Sequence, residues 1–145
     1  MAILEIRTLA FAALVVAATV AGCASAGSGA SSTELGTRDW RLVEVGGVPA
    51  VPADPARRPW IRFSVDSSHV NGNAGCNRFG GSFTREGLSL RFGPMMSTRM
   101  ACADDALNRQ EQAFLSALGS TDHYEITGGT LVVLRASERL ARFVH

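Results

Sequence analysis

The three cysteines are the residues of this chain with the widest choice of chemistry. Cys23 follows an uncharged apolar run, whereas Cys76 and Cys102 lie in the segments NAGCNRFGG and MMSTRMAC. A cysteine can act as a nucleophile, as a metal ligand or as half of a disulfide, depending on its compartment and its neighbours. Each of these roles requires particular residues elsewhere in the sequence.

A thiol enzyme needs a base beside its cysteine, and the chain offers only His69, His123 and His145. None of them shares a recognised nucleophile motif with Cys76. Zinc is usually held by close C-x-x-C or H-x-x-x-H pairs, which the sequence lacks, and CADD at 102–105 is more typical of a helix cap. We therefore predict a protein that is not an enzyme, with no catalytic residue, no metal site and no cofactor.

The first segment indicates export. Residues 8–22, TLAFAALVVAATVAG, carry no charge and follow Arg7, so we predict a signal peptide over 1–22. Its ending, VAGC, resembles the bacterial lipobox, which implies cleavage before Cys23 and attachment of diacylglycerol and acyl chains such as palmitate to that residue. Ordinary signal peptidase cleavage near 24–26, releasing a soluble protein, is the alternative.

Lipidation would anchor the chain on the outer face of the cytoplasmic membrane or the periplasmic side of the outer membrane. The next segment, ASAGSGASSTELG, is rich in Gly, Ser and Ala, and we predict a flexible tether over 23–37. With Cys23 lipidated, Cys76 and Cys102 remain as a pair in an oxidising compartment, where we expect a disulfide. Two buried free thiols are the alternative.

Charge gives little support for a polyanionic partner. The chain has 14 basic and 13 acidic residues, so it lacks the single-sign field that recruits nucleic acid. The expected partners are the membrane, through the anchor at Cys23, and an unknown envelope protein or small ligand. For the methionines of the second segment, alternation predicts that Met96, Thr98 and Met100 share one side of the chain and that Met95 lies on the other. We expect these methionines to pack in the core and not to bind copper.

From residue 38 onward, short alternating apolar runs are separated by turn signals such as Gly46-Gly47, Glu86-Gly87 and Gly128-Gly129. They predict a mainly β domain with about eight short antiparallel strands curled into a barrel. One helix is predicted near 104–118, where a stripe with period 3.6 places Leu107, Glu111, Phe114 and Leu118 on one face.

Two motifs resemble those of the META domain, also called the HslJ family: GCNRF at 75–79 and LSLRFGPMMSTRMAC at 88–102, followed by the helix segment EQAFLSAL. The resemblance extends over the domain predicted for residues 38–145. Its motif residues in this chain are Gly75, Cys76, Asn77, Phe79, Thr98, Met100, Ala101 and Cys102. Phe83 stands where many members have tyrosine.

The resemblance implies a compact barrel-like domain of bacterial envelope proteins, often lipoproteins, some of them linked to stress responses. No enzymatic activity is established for the family. We therefore expect a non-catalytic envelope lipoprotein with a binding or stress-support role. The alternatives are a carrier of a small apolar ligand inside the barrel, which an interior filled by Trp60, Phe63, Leu90 and Leu134 would oppose, and a thiol enzyme using Cys76.

Overall fold

The computed structural model describes residues 32–36, 38–51, 54–100 and 102–145. These ranges contain two α-helices and ten β-strands, with short 3₁₀ turns at Pro55–Arg57 and Val65–Ser67. In chain order the elements are α1 Ser32–Gly36, β1 Trp40–Val45, β2 Val48–Pro49, β3 Trp60–Ser64, β4 His69–Asn73, β5 Arg78–Glu86, β6 Ser89–Phe92, β7 Met96–Ser97, α2 Asp105–Ser120, β8 His123–Thr127, β9 Thr130–Arg135 and β10 Glu138–Val144.

Eight of the strands form a closed antiparallel barrel in the order β1, β3, β4, β5, β6, β8, β9 and β10. Pairing of β10 with β1, from Arg41 opposite Val144 to Val45 opposite Ala141, closes the sheet on itself. The remaining two strands lie outside this ring, with β2 paired to β1 and β7 paired to β5. The predicted antiparallel barrel with one main helix is confirmed.

Alternation along the strands fills the barrel interior with large side chains. Trp40, Phe63, Phe83, Tyr124 and Phe143 are all buried there, and the Phe63 and Phe83 rings meet edge to face with centroids 5.2 Å apart. Such pairs add to the free energy gained by burying apolar surface.

Trp60, one of the four residues whose burial would oppose a carrier, does not fill the barrel interior. Ile61 and Phe63 are the buried residues of β3, so the pleat turns Trp60 outward. There its ring lies 5.6 Å from the guanidinium of Arg62. Leu90 is buried in the core as expected, and Leu134 is buried but lies outside the main core cluster.

The two helices pack at opposite ends of the barrel. Helix α1 contacts β3 and the turn that follows it, whereas α2 packs against β1, β6, β9 and β10 and sets Phe114 edge-on to Phe79, with ring centroids 5.5 Å apart. Helix α2 begins where Asp104 accepts a hydrogen bond from the Ala106 amide at 2.7 Å, in agreement with a capping role for CADD.

Helix α1 lies within the segment expected to be a tether, 23–37, and it packs on the domain. Leu35 is fully buried, and its carbonyl accepts a hydrogen bond from Trp40 Nε1 at 3.0 Å. One leucine in a segment rich in small residues is thus enough to dock the helix, since it covers the end of the barrel. Cys23 and the predicted signal peptide lie outside the described residues.

Within the described part of the chain, neither helix has the length and apolar content needed to cross a membrane.

Candidate functional site

The motif residues meet at the end of the barrel covered by α2. The turn between β4 and β5 brings Cys76 and Asn77 beside the segment that follows β7, and a disulfide joins Cys76 to Cys102 with Cα atoms 5.7 Å apart. Helix α2 starts three residues after Cys102. A single covalent bond therefore ties the motif turn to the start of the main helix.

Asn77 is the centre of this region, with only 3% of its surface exposed. Its Oδ1 accepts hydrogen bonds from the Thr98 hydroxyl at 2.9 Å and from the Met100 amide at 2.7 Å. Its Nδ2 donates to the Met100 carbonyl at 2.9 Å and to Glu111 Oε1. The amide thus uses all of its usual hydrogen-bonding capacity inside the protein.

Glu111 projects from α2 into the same network and is 9% exposed. Its Oε2 accepts from the backbone amides of Cys76 at 3.0 Å and Asn77 at 2.9 Å, while Oε1 accepts from the Asn77 side chain. Charge-assisted hydrogen bonds of this kind are about twice as strong as neutral ones. We call Asn77, Thr98, Glu111 and the Cys76–Cys102 disulfide the clasp.

The sequence pattern places Glu111 on the apolar stripe of the helix but assigns it no role. A carboxylate on a buried helix face requires hydrogen-bond donors, and this was the signal available in the sequence. The identity of those donors was not visible, because they are the backbone amides of Cys76 and Asn77 and the side chain of Asn77, 34 and 35 residues earlier in the chain.

The other motif residues support the clasp. Gly75 adopts a φ of +133°, which L side chains rarely adopt, and donates its amide to Asn73 Oδ1 at 2.7 Å. Phe79 is buried against Phe114. The Met100 side chain is 60% exposed, so only its backbone joins the network, and Ala101 lies outside the described residues.

Three groups of the clasp that could ligate a metal lie close together. Ligand atoms of Cys76, Cys102 and Glu111 lie within 4.8 Å of one another, but the two sulfurs are bonded to each other and metal ligation requires thiolates. The carboxylate is already engaged by three donors.

The histidines lie apart from the disulfide. His69 is at the opposite end of β4, and the His145 ring packs 5.9 Å from Trp40. His123 Nδ1 lies 2.6 Å from Asp122 Oδ1. The hydrogen bond with His123, together with the Ala136 amide and the charges of His123 and Arg91, holds the pKa of Asp122 below its usual value.

Two open grooves flank α2 beside the clasp. The methionine groove, about 780 Å³, runs between α2 and the segment from Met95 to Met100. Met95 packs against the core, but Met96 is 79% exposed. The expectation of core packing is therefore wrong for Met96 and Met100, because β7 pairs only with β5 and lies outside the closed barrel.

The second groove, which we call the Gln110 groove, lies between α2 and the β1–β2 hairpin and measures about 340 Å³. Its lining is mostly aliphatic: Val45, Val48, Pro49, Val51, Ala106, Arg109, Gln110 and Ala113. Gln110 is only 6% exposed, and its Oε1 accepts a hydrogen bond from the Val51 amide. Its Nε2 is buried and has no hydrogen-bond partner.

Solved structures share this fold. A protein solved by NMR matches with a TM-score of 0.64 and 25% identity, over 79% of this chain and 95% of its own. An NMR structure of a protein from Burkholderia xenovorans matches with a TM-score of 0.59 and 25% identity, over 77% and 83%. A crystal structure of a DUF4847 family protein from Bacteroides vulgatus, at 14% identity, a TM-score of 0.54 and coverage of 78% and 95%, shares the fold alone.

No curated protein matches this chain. The sequence profile of the META domain, in contrast, matches residues 33–145, which include α1, the barrel and α2. This range contains every motif residue from Gly75 to Cys102 and agrees with the folded domain beginning at α1 instead of residue 38. The chain belongs to the META domain family.

Proposed function

We propose that this chain is an exported, lipid-anchored envelope protein whose META domain acts by binding or by supporting the envelope, and not by catalysis. The family points to an envelope-associated protein of unknown molecular activity. The observation that carries the proposal is the clasp, in which the motif residues of the family bond to one another.

The disulfide supports the proposal that the chain is exported. Such bonds form and persist in oxidising compartments and are rare where glutathione and thioredoxin keep thiols reduced. Cys76 and Cys102 form one such bond, which leaves Cys23, at the end of the apolar run, as the third cysteine. Lipidation of Cys23 accounts for all three cysteines of an exported chain.

The hydrogen bonds of the clasp support a role without catalysis. A general acid or base has to reach the substrate, whereas the Glu111 carboxylate is buried and accepts from three donors of the fold. The sulfur of Cys76 is bonded to that of Cys102 and is not a free nucleophile in this state. These facts disfavour the thiol enzyme.

The packed interior disfavours a carrier that holds its ligand inside the barrel. Five large aromatic side chains occupy that space, and α1 and α2 cover the two ends. Binding at the outer surface, where grooves flank α2, fits the structure better.

The disulfide is tested by alkylation of the protein taken from its own envelope, with the mass measured before and after reduction. We expect Cys76 and Cys102 to resist the reagent until reductant is added, after which both are labelled. Labelling of both thiols without reductant would discard the bridge.

The anchor is tested separately by labelling cells with palmitate. The wild-type chain should incorporate label and fractionate with membranes, whereas a Cys23→Ser chain should not incorporate it. Cys102→Ser serves as the matched control, because it removes a different cysteine and should retain the label. Equal behaviour of the wild type and Cys23→Ser would refute lipidation at this residue.

A further inference from the structure

The buried amide of Gln110 is the strongest sign of a ligand in the described part of the molecule. Its side chain is more than nine-tenths buried, yet Nε2 has two N–H groups and no acceptor. A buried donor without a partner destabilises a protein, because it has lost its hydrogen bonds to water and gained none in exchange. An acceptor supplied from outside the chain would remove that penalty.

The orientation of this amide is fixed by a neighbour. Val51 N–H can only donate, so the oxygen of Gln110 must face it, and this is the arrangement in the structure. Exchange of the oxygen and nitrogen would leave two donors facing each other. Nε2 is therefore the side of the amide that lacks a partner, and Gln110 lines the Gln110 groove. Because Nε2 itself is covered by neighbouring atoms, an acceptor in the groove reaches it once the side chains of the groove wall shift.

The rest of the groove indicates what kind of molecule would bring the acceptor. Valine, proline and alanine side chains provide an apolar wall, and a volume of about 340 Å³ lies at the small end of the range for ligand pockets. Arg109, which precedes Gln110 on α2, also lines the groove. Among the described residues, no carboxylate forms a salt bridge with Arg109.

An added peptide strand fits this groove less well than a small molecule. The neighbouring edge is β2, which has only two residues, Val48 and Pro49. Pro49 has no N–H to donate to an incoming strand, and proline is a common means of protecting sheet edges.

We propose that the Gln110 groove binds a small apolar carboxylate, with one carboxylate oxygen accepting from Gln110 Nε2, the guanidinium of Arg109 balancing the charge, and the apolar tail against Val45, Val48 and Val51. This inference rests on the proposed binding role of the domain and gives that role a place and a ligand class. It does not depend on the anchor or the disulfide.

Hexanoate is a suitable probe, and hexanamide is its neutral counterpart of nearly equal size. The full chain in non-ionic detergent is titrated with each compound while its amide resonances are followed by NMR. We expect hexanoate to shift the Gln110 side-chain NH₂ resonance and the backbone amides of Val48 and Val51 saturably. Hexanamide should bind at least about tenfold more weakly, because it cannot form a charge-assisted bond.

Two substitutions locate the interaction. Gln110→Glu keeps an oxygen for the Val51 amide but replaces the free donor with negative charge, and Arg109→Gln removes the cation at the rim. Both should weaken hexanoate binding at least about tenfold. Gln112→Glu, an exposed position of α2 on the methionine groove, is the matched control and should bind as the wild type does. Thermal unfolding shows whether each variant is folded. If Gln110→Glu does not fold, the binding of hexanoate by Arg109→Gln decides the test.

The proposal is overturned if the Gln110 side-chain resonance does not move up to about 10 mM hexanoate, which corresponds to negligible affinity. It is also overturned if hexanamide binds as well as hexanoate or if Arg109→Gln binds as the wild type does. The lipid anchor and the disulfide would stand in each of these cases, because neither enters the assay.

Discussion

Gln110 and Glu111 are consecutive residues of α2, and both are more than nine-tenths buried, but they differ in how their polar atoms are used. Glu111 accepts from three donors of the clasp. Gln110 accepts one bond from Val51 and leaves its Nε2 without an acceptor. One helix therefore presents a completed network on one side and an incomplete one on the other.

This difference separates structural from binding roles. A buried polar group that is fully paired within the chain holds the fold and has little capacity left for a ligand. A buried group with an unused donor is expensive to keep, so an external partner is a natural reason for it. The motif residues of the clasp are fully paired and hold the fold, whereas Gln110 has an unused donor, and we propose the binding role for its groove.

Removing the disulfide should have the largest effect on the clasp. For Cys76 and Cys102, separated by 26 residues, the chain-entropy model gives a loss of about 3.5 kcal/mol in the free energy of unfolding. Urea denaturation of a Cys76→Ser/Cys102→Ser chain measures it. Reductant should destabilise the wild type by a similar amount and leave the variant unchanged; a wild type insensitive to reductant would contradict the prediction.

Removing the carboxylate of the clasp comes next. Glu111→Ala leaves the amides of Cys76 and Asn77 buried without an acceptor, so we expect a loss of about 3 kcal/mol in the free energy of unfolding. Gln112→Ala, at the exposed neighbouring position, should change it by no more than about 0.5 kcal/mol. Equal effects of the two substitutions in urea denaturation would show that the clasp does not hold the domain together.

Gln110→Leu should have a much smaller effect on stability than Glu111→Ala. It removes the bond from the Val51 amide but also removes the unpaired Nε2, so the two changes partly cancel and the net loss should not exceed about 1 kcal/mol. The same urea experiment measures it. A loss as large as that of Glu111→Ala would mean that Gln110, too, is mainly a structural residue.

The smallest expected effect on stability comes from Asp122, which lies outside both the clasp and the Gln110 groove. The pKa of Asp122 is lowered in the folded state, chiefly by the hydrogen bond with His123, so its ionised form stabilises the fold at pH values above the unfolded pKa of about 4. This contribution is lost as the pH falls through the lower folded pKa.

An Asp122→Asn chain tests this pH dependence. Its stability difference from the wild type should be constant above about pH 5 and should shrink below about pH 4. Thermal unfolding followed at several pH values gives the difference, and Asp66→Asn, which replaces an exposed carboxylate, is the control. A difference for Asp122→Asn that grows on acidification would contradict the assigned sign.

Local patterns predicted the barrel and the main helix well. The short apolar runs WRLVEV and TLVVLR, each bounded by turn signals, coincide with β1 and β9, and the apolar stripe predicted a helix at 104–118 where α2 spans Asp105–Ser120. Helix α1 escaped prediction because a single apolar residue, Leu35, docks it. No period can reveal a contact made by one side chain.

The site depended on contacts between distant parts of the chain. Alternation separated Met95 from Met96 and Met100 correctly, but their exposure followed from β7 lying outside the barrel. The partners of Glu111 lie in the turn before β5, and the missing partner of Gln110 has no local signal at all. Hydrogen-bond satisfaction is a property of the folded chain, so it could not be predicted from spacing.

The central claim is that the residues of the clasp act together to hold the fold, and a double-mutant cycle between Asn77 and Glu111 tests it most directly. We predict that Asn77→Ala and Glu111→Ala, measured singly and together by urea denaturation, are coupled by at least about 1 kcal/mol. Once either residue is replaced, the hydrogen bond between Asn77 Nδ2 and Glu111 Oε1 is already lost, so the second substitution cannot remove it again. Effects that add to within about 0.3 kcal/mol would contradict the claim.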